Sequence, residues 1–309
     1  MSRIHDALKK AELERAAAQA LEVGGLPLAP NGAASSGVSQ AGVAANNGGV
    51  RPTRAAAAGD SLRFEDLRLR RQAHSDWHPD PKTDVFDSGS GSYGAEQFRT
   101  LRSRLYQLRS SQPLRTILIT SSAAGEGKTF VTSNLARAIV RQLDRRVLIV
   151  DCDLRCPRLH VVLGAPRAPG LTDYLRGRAD ELAIIRQGQE GNLCVIPSGS
   201  HVSDPSELLS NGRLKTLLDR VAPAFDWVLI DSPPCVPVAD ASVIANWCDG
   251  VLLVVRAGAT PSAVVVRARQ ELQGRSIAGV VLNAVKGDAL AYGSYYGSGY
   301  GGDGAQASS

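Results

Sequence analysis

A lysine next to a threonine, preceded by glycines, is the strongest chemical feature of this sequence. The pair closes the stretch Ser-Ser-Ala-Ala-Gly-Glu-Gly-Lys-Thr at 121–129. Glycines let backbone N–H groups approach phosphates, Lys128 would reach the β- and γ-phosphates, and the Thr129 hydroxyl would ligate Mg²⁺. An ordinary glycine-rich turn is the alternative, since the strict pattern has glycine where Ser122 stands. The residues expected to contact a nucleotide are Gly125, Glu126, Gly127, Lys128, Thr129 and Phe130.

Carboxylates follow two apolar runs downstream of this stretch. Asp151 and Asp153 come after the run at 147–150, and Asp231 comes after the run at 226–230. One aspartate at a strand end is weak evidence, because aspartate is also a common turn residue. Three acids at two strand ends, combined with a phosphate loop, predict a site for a nucleotide and Mg²⁺. Mg²⁺ keeps several waters and few protein ligands, so we expect Asp231 to bind it through water.

The same residues suit phosphoryl transfer. That reaction needs positioning, cations on the phosphate oxygens and an acceptor for the proton of the nucleophile. Lys128, Mg²⁺ and Arg155 would supply the positive charge, and either Asp151 or Asp153 would accept the proton. The predicted catalytic residues are Lys128, Asp151, Asp153 and Arg155, and the predicted metal ligands are Thr129, Asp151 and Asp231.

Strands and helices alternate along the part of the chain that carries these motifs. Apolar runs predict strands at 116–120, 146–150, 193–196, 226–230, 250–255 and 277–282. Helical periodicity predicts helices at 95–108, 128–143, 157–163, 205–220, 238–246 and 261–273. Continuous apolar strands separated by helices indicate a mostly parallel sheet covered on both faces, an α/β three-layer sandwich. Ligands of such sheets bind at the carboxyl ends of the strands, where all these acids fall.

The flanking regions have a different composition. Residues 1–22 have the pattern of a short amphipathic helix, which we interpret as a docking element for a partner. Residues 23–92 are rich in Ala, Gly, Ser and Pro and are predicted to be a disordered linker, including an arginine-rich stretch at 62–72. The ordered domain is predicted at 93–288, and a flexible Gly/Ser/Tyr-rich tail at 289–309.

Composition excludes several classes of protein. The 309 residues carry a net charge of +5 and five cysteines. The cysteines lack zinc-type spacing, which favours a reduced cytoplasmic protein over a disulfide scaffold. No apolar run approaches the ~20 residues that span a bilayer. The charge excess is too small to argue for a nucleic-acid partner.

Jointly, these motifs resemble those of the bacterial tyrosine kinase (BY-kinase) family, the P-loop kinases of capsule and exopolysaccharide systems. That family has a P-loop, a strand ending Asp-x-Asp-x-Arg, a strand ending Asp-x-x-Pro and a C-terminal tyrosine cluster. The counterparts here are the loop at 121–129, Asp151 to Arg155 and Asp231 to Pro234. The tyrosine cluster consists of Tyr292, Tyr295, Tyr296 and Tyr300. A family helix with the pattern Glu-x-x-Arg-x-x-Arg, which joins protomers into rings, is matched by Glu96, Arg99 and Arg102.

The resemblance covers residues 93–300 and implies a P-loop NTPase fold, ATP and Mg²⁺ as cofactors, and an adenine contact at Asn283. It implies autophosphorylation of the tail tyrosines, in trans within a homo-oligomeric ring, that regulates polysaccharide polymerisation and export. The fused transmembrane half of some relatives is missing, so the resemblance implies a separate membrane-embedded chain-length regulator of the Wzz type as activator. It also implies a cognate tyrosine phosphatase and a cytoplasmic chain recruited to the inner membrane by its partner. Cys156 stands where many relatives have Lys or Arg.

Two other functions use the same motifs. A positioning ATPase of the MinD/ParA kind shares the P-loop and the second-strand aspartate, but it carries a second loop lysine where this chain has Ala123. Its membrane-binding tail is an amphipathic helix, whereas a glycine-rich tail holds a helix poorly. A scaffold that binds nucleotide only for assembly is the third possibility, and the intact acids argue against it.

Overall fold

The computed structural model describes residues 62–69, 77–87, 92–188 and 191–285. The predicted N-terminal helix at 1–22 and the tail at 289–309, with its four tyrosines, lie outside these ranges. Within the described ranges, no helix is both long and apolar enough to cross a membrane.

The described strands form one seven-stranded sheet in the order β3-β4-β2-β5-β1-β6-β7. Every neighbouring pair is parallel except β3 and β4, which are antiparallel. The strands are β1 (Thr116–Ser121), β2 (Val147–Asp151), β3 (Arg186–Gln187), β4 (Leu193–Ile196), β5 (Trp227–Asp231), β6 (Gly250–Arg256) and β7 (Ile277–Asn283).

Helices cover both faces of this sheet. They are α1 (Phe64–Leu69), α2 (Tyr93–Ser111), α3 (Lys128–Val140), α4 (Leu159–Leu163), α5 (Leu171–Leu175), α6 (Glu181–Ile184), α7 (Pro205–Ser210), α8 (Arg213–Val221), α9 (Asp240–Ala245) and α10 (Ser262–Glu271). Helices α2, α3 and α4 pack on one face, together with Ile117 and Ile149. The other face holds Leu118 and Leu148 and is covered by helices that include α8, α9 and α10. This arrangement confirms the predicted three-layer α/β sandwich.

Burial on both faces explains why the strands were readable from the sequence. Every residue of β1, β2 and β5 is buried, so these strands need continuous apolar runs instead of alternation. All six predicted strands are present, with ends within one residue of those predicted. The two-residue β3 was missed, as were the short helices α5 and α6. The predicted helix at 205–220 is two helices, because Gly212 has a φ of 80° between α7 and α8.

Two described stretches of the predicted disordered linker are in fact folded onto the domain. The first is α1, where Phe64 and Leu67 are buried. The Phe64 ring meets the Phe225 ring edge to face, with 5.6 Å between centroids. The arginine-rich composition of 62–72 suggested a solvated segment, but two apolar residues spaced by three suffice to bury one face of a short helix.

The second stretch is 77–87, where Trp77 and Phe86 are buried. Asp84 forms an ion pair with Arg137 of α3. Asn134 of α3 accepts a hydrogen bond from the Val85 backbone N–H at 3.0 Å. The linker prediction is therefore wrong here, and order begins well before Tyr93. Aromatic residues isolated among polar ones give no periodic signal, so only their long-range contacts reveal the burial.

Candidate active site

The phosphate loop joins β1 to α3, as predicted, and its shape depends on glycine. Gly125 and Gly127 have φ angles of 79° and 95°, in the left-handed region that favours glycine. A Cβ atom on Gly127 would lie 2.1 Å from Nδ2 of Asn283. Glycine at 127 is therefore required twice, by the backbone angle and by the approach of a side chain.

Glu126 fixes the shape of the loop and joins it to β6, β7 and the start of α10 through hydrogen bonds, one of them from the Arg256 backbone N–H at 3.5 Å. Its carboxylate is buried and accepts a hydrogen bond from the backbone N–H of Ala123 at 2.7 Å. The other carboxylate oxygen accepts one from the Thr260 hydroxyl, which lies between β6 and α10. The backbone carbonyl of Glu126 accepts one from Nδ2 of Asn283 at 2.9 Å. Sequence reasoning missed Thr260, because no local pattern links it to a loop so far away in the chain.

Asp151 and Asp231 lie opposite each other at the carboxyl ends of β2 and β5. Both are fully buried. Asp231 accepts a hydrogen bond from the Thr129 hydroxyl at 2.7 Å and one from Thr132 at 3.4 Å. Burial is the main cause that raises the pKa of Asp231 to about 6. Burial, and then the nearby charges of Asp231 and Asp153, raise the pKa of Asp151 well above its usual range.

Lys128 completes the cluster. Its ammonium nitrogen lies 3.1 Å from Oδ2 of Asp153, and both side chains are nearly buried. The other oxygen of Asp153 accepts a hydrogen bond from the Cys156 backbone N–H at 3.0 Å. The fold thus brings together at one sheet edge the lysine, the threonine and the three acids that the sequence singled out.

The chemistry of this cluster fits a magnesium–nucleotide complex. Asp151 Oδ2 and the Ser122 hydroxyl are buried without a hydrogen-bond partner among the described residues, and two buried carboxylates favour a cation between them. Across the described ranges, no group of three or more His, Cys, Asp or Glu residues is arranged to hold a metal ion. Mg²⁺ here would therefore rely on the Thr129 hydroxyl, water and phosphate oxygens as well as on the aspartates.

Arg155 points to a partner outside this cluster. Its Nε donates to Oδ2 of Asp240 at 2.8 Å, and its Nη2 donates to the Ser206 hydroxyl at 2.7 Å. The hydrogen bond to Asp240 is the main cause that raises the pKa of Arg155. Sequence reasoning missed both partners. Their one local signal is that each lies in the first turn of a predicted helix, and capping explains an acid or a serine there equally well.

Two residues predicted to contact the nucleotide, Phe130 and Asn283, also contact other parts of the protein. The Phe130 ring lies against the Phe98 ring, with 5.9 Å between centroids, so its side chain belongs to the packing of α2 on α3. Asn283 lies at the end of β7 and donates to the loop carbonyl of Glu126. The adenine contact at Asn283 stays a prediction.

The predicted oligomer interface lies on α2. Glu96 forms an ion pair with Arg99 on the helix surface. Arg102 instead donates to the carbonyl of Ala138 in α3 at 2.6 Å. Arg102 therefore helps to fix α2 on its own domain, and the role of the three residues between protomers stays a prediction.

Comparisons with known proteins identify relatives of this chain. A family model described as an AAA domain matches residues 114–260. The tyrosine-protein kinase YwqD of Bacillus subtilis is 32% identical over 209 residues, which are 67% of this chain and 88% of YwqD. The tyrosine-protein kinase ptk of Acinetobacter johnsonii is 34% identical over 205 residues, but these are only 28% of ptk. The solved kinase domain of the Escherichia coli tyrosine kinase ETK superposes with a TM-score of 0.63 at 32% identity, over 73% of this chain and 89% of that domain.

Proposed function

The chain belongs to the bacterial tyrosine kinase family and is a protein-tyrosine kinase, and we propose that it uses Mg²⁺ and ATP to phosphorylate the tyrosines of its own C-terminal cluster. One observation carries this proposal: Lys128, Thr129 and the acids of β2 and β5 converge at one edge of the sheet. The proposed acceptors are Tyr292, Tyr295, Tyr296 and Tyr300.

Each side chain of the cluster would have a different role in phosphoryl transfer. Lys128 would exchange its contact with Asp153 for the phosphate oxygens, which need positive charge during transfer. Bound Mg²⁺ would neutralise developing charge on those oxygens. Either Asp151 or Asp153 would accept the tyrosine proton. Asp153 becomes available for this once Lys128 has moved to the phosphate oxygens, whereas Asp151 would face Mg²⁺ together with Asp231. Arg155 would add positive charge at the margin of the site.

We propose transfer in trans within an oligomer. β7 ends at Asn283, whose side chain contacts the phosphate loop, so a tail that starts here would be too close to its own active site for an easy in-line approach. Ten extended residues span ~33–36 Å, which allows a tail to reach a neighbouring protomer. Each phosphate adds about −1.5 to −2 charge. Accumulating charge would weaken a ring that Glu96, Arg99 and Arg102 hold together.

The proposed setting is capsule or exopolysaccharide export, as the family resemblance implies. A membrane-embedded chain-length regulator would recruit and activate the kinase, with the segment at 1–22 as its docking element. A tyrosine phosphatase would remove the phosphates from the tail tyrosines. The cycle of tail charge and ring stability would then regulate polymer length.

Intact mass spectrometry after incubation with Mg²⁺ and ATP tests this function. We expect mass increments of one or more phosphates that a tyrosine phosphatase removes and that map to the tail. Lys128→Met should abolish them. Sustained phosphate release without labelling would instead indicate a positioning ATPase, and unchanged ATP would indicate a nucleotide-binding scaffold.

A mixing experiment tests transfer in trans. The Lys128→Met chain supplies acceptors but no activity, and a chain with Tyr292→Phe, Tyr295→Phe, Tyr296→Phe and Tyr300→Phe supplies activity but no acceptors. We expect the tail of the Lys128→Met chain to become labelled only in the mixture. An unlabelled tail, in a mixture whose active partner hydrolyses ATP, would refute transfer in trans.

A further inference from the structure

A buried carboxylate connects the loop that follows β2 with the loop that follows β5. Asp240, the first residue of α9, has a side chain that is 1% exposed. Arg155 donates to one oxygen of Asp240 from Nε at 2.8 Å and to the other from Nη2 at 3.4 Å. We propose that Asp240 is a positioning residue, which holds Arg155 and thereby fixes the loop that carries Asp153 against the loop that follows Asp231.

The location of this ion pair in the topology supports the proposal. Arg155 belongs to the loop that leaves β2 through Asp151 and Asp153. Asp240 ends the loop that leaves β5 at Asp231. β2 and β5 are neighbours in the sheet, so the Arg155–Asp240 pair lies across the top of the two strands. The pair therefore links the loops that follow two adjacent strands.

The energetics identify Asp240 as the fixed end of the pair. A buried carboxylate is costly unless it is paired and hydrogen-bonded. Asp240 meets both conditions, because the Ser206 hydroxyl of α7 donates to the oxygen that also faces Nη2. Arg155 keeps 38% of its side chain exposed, so it would lose little by moving into solvent. Its planar fork matches a carboxylate at two points, which a lysine cannot do.

A positioning role predicts an effect on magnesium more than on the phosphate loop. The pair does not touch Lys128 or Thr129, so nucleotide held by the loop alone should be indifferent to it. Asp153 lies in one of the two loops that the pair joins, and Asp231 directly precedes the other. Loss of groups that orient the surroundings of a metal costs about 10–100-fold in metal affinity or activity. This inference rests on the proposed function, in that it assigns the acids to a magnesium–nucleotide site.

The experiment measures how much Mg²⁺ increases the affinity for ADP, by calorimetry with saturating Mg²⁺ and with EDTA. We expect Asp240→Asn to leave the affinity in EDTA within about twofold of wild type and to reduce the Mg²⁺-dependent gain about tenfold. Arg155→Gln should reduce the Mg²⁺-dependent gain by a similar factor, and it should also weaken binding in EDTA because it removes positive charge at the margin of the site. The double variant should be no worse than either single one, because residues of one network are not additive. Labelling of the tail should fall in parallel.

Several results would overturn the proposal. An unchanged Mg²⁺-dependent gain in Asp240→Asn would do so, as would losses that multiply in the double variant. If Asp240→Asn does not fold, Ser206→Ala and Arg155→Gln report on the same pair from its more exposed side.

Lys215→Gln removes an exposed ion pair with Asp219 on α8 and should change neither affinity. If wild type binds Mg²⁺ and ADP but no tyrosine is labelled, the proposed function fails while the positioning role is still decided by the binding data.

Discussion

The phosphate loop and the acid pair, which consists of Asp151 and Asp231, lie at the same edge of the sheet. They differ in how fully their buried polar groups are hydrogen-bonded. In the loop, the Glu126 carboxylate and carbonyl accept hydrogen bonds from Ala123, Thr260 and Asn283. In the acid pair, Asp151 has an oxygen that finds no partner within the described ranges, and the pKa values of Asp151 and Asp231 are raised. The Glu126 groups that shape the loop are therefore satisfied without a ligand, although the Ser122 hydroxyl has no partner among the described residues, whereas burial without a cation destabilises the ionised acids.

This difference assigns separate tasks to the two regions. A preorganised loop can bind phosphate without reorganisation, which makes binding less costly. Buried like charges on neighbouring strands store unfavourable energy that a cation can release, and such perturbed groups cluster at functional sites. Binding strength should thus depend on the loop, and the response to magnesium on the acids.

The largest expected effect concerns Asp231 in nucleotide-free protein. Its pKa rises from 3.8 to about 6 on folding. The fold therefore favours the protonated form, and the stability this gives is lost as pH rises through the window from 3.8 to 6. The shift corresponds to on the order of 3 kcal/mol. Asp231→Asn should be more stable than wild type by this order above pH 6, with an advantage that shrinks towards pH 4.

Chemical denaturation across pH 4–8 measures this advantage. With Mg²⁺ and ADP bound, wild type should be more stable than Asp231→Asn, because it gains stability from a ligand that the variant binds poorly. Tail labelling by Asp231→Asn should be lost. If Asp231→Asn is less stable than wild type at pH 7.5 without ligand, the ionised Asp231 does not destabilise the nucleotide-free protein. The proposed difference between the acid pair and the loop would then be wrong.

Next in size is the effect of a side chain in the loop. Gly127→Ala places a methyl group where Nδ2 of Asn283 lies, 2.1 Å away, at a φ of 95°. Backbone strain of this kind costs roughly 1–3 kcal/mol, and displacement of Asn283 adds to it. We expect nucleotide affinity in EDTA to fall about tenfold or more.

Gly274→Ala is the matched control for this variant. Gly274 also has positive φ, at 76°, but a Cβ atom there meets nothing within 4 Å. It should lower the free energy of unfolding without altering nucleotide affinity. Equal affinities for Gly127→Ala and wild type would mean that the loop is not a preorganised binding element.

The smallest effect should come from Asn283→Ala. It removes one donor from the carbonyl of Glu126, which costs about 1 kcal/mol, while the Glu126 side chain still anchors the loop. Affinities for ATP and for inorganic tripolyphosphate should fall by the same factor, about fivefold. A loss confined to ATP would instead identify Asn283 as a contact of the base.

The strands and the loop were predictable because their signals are local. Complete burial of β1, β2 and β5 requires apolar runs, and a loop that binds phosphate requires glycines next to Lys128. The carboxyl-end rule for parallel sheets then predicts from the sequence alone that Asp151 and Asp231 lie at the same edge.

The contacts that complete the site were not predictable in this way. Glu126 with Thr260 and Arg155 with Asp240 join residues far apart in the chain, and their types also suit caps and turns. The burial of Phe64 and Trp77 in the supposed linker was missed for the same reason. Residue types and spacing fix which elements form and which chemistry is available, because both follow from short-range geometry. Which carboxylate meets which cation depends on how the loops pack at the sheet edge, because that pairing is settled by burial and distance in three dimensions.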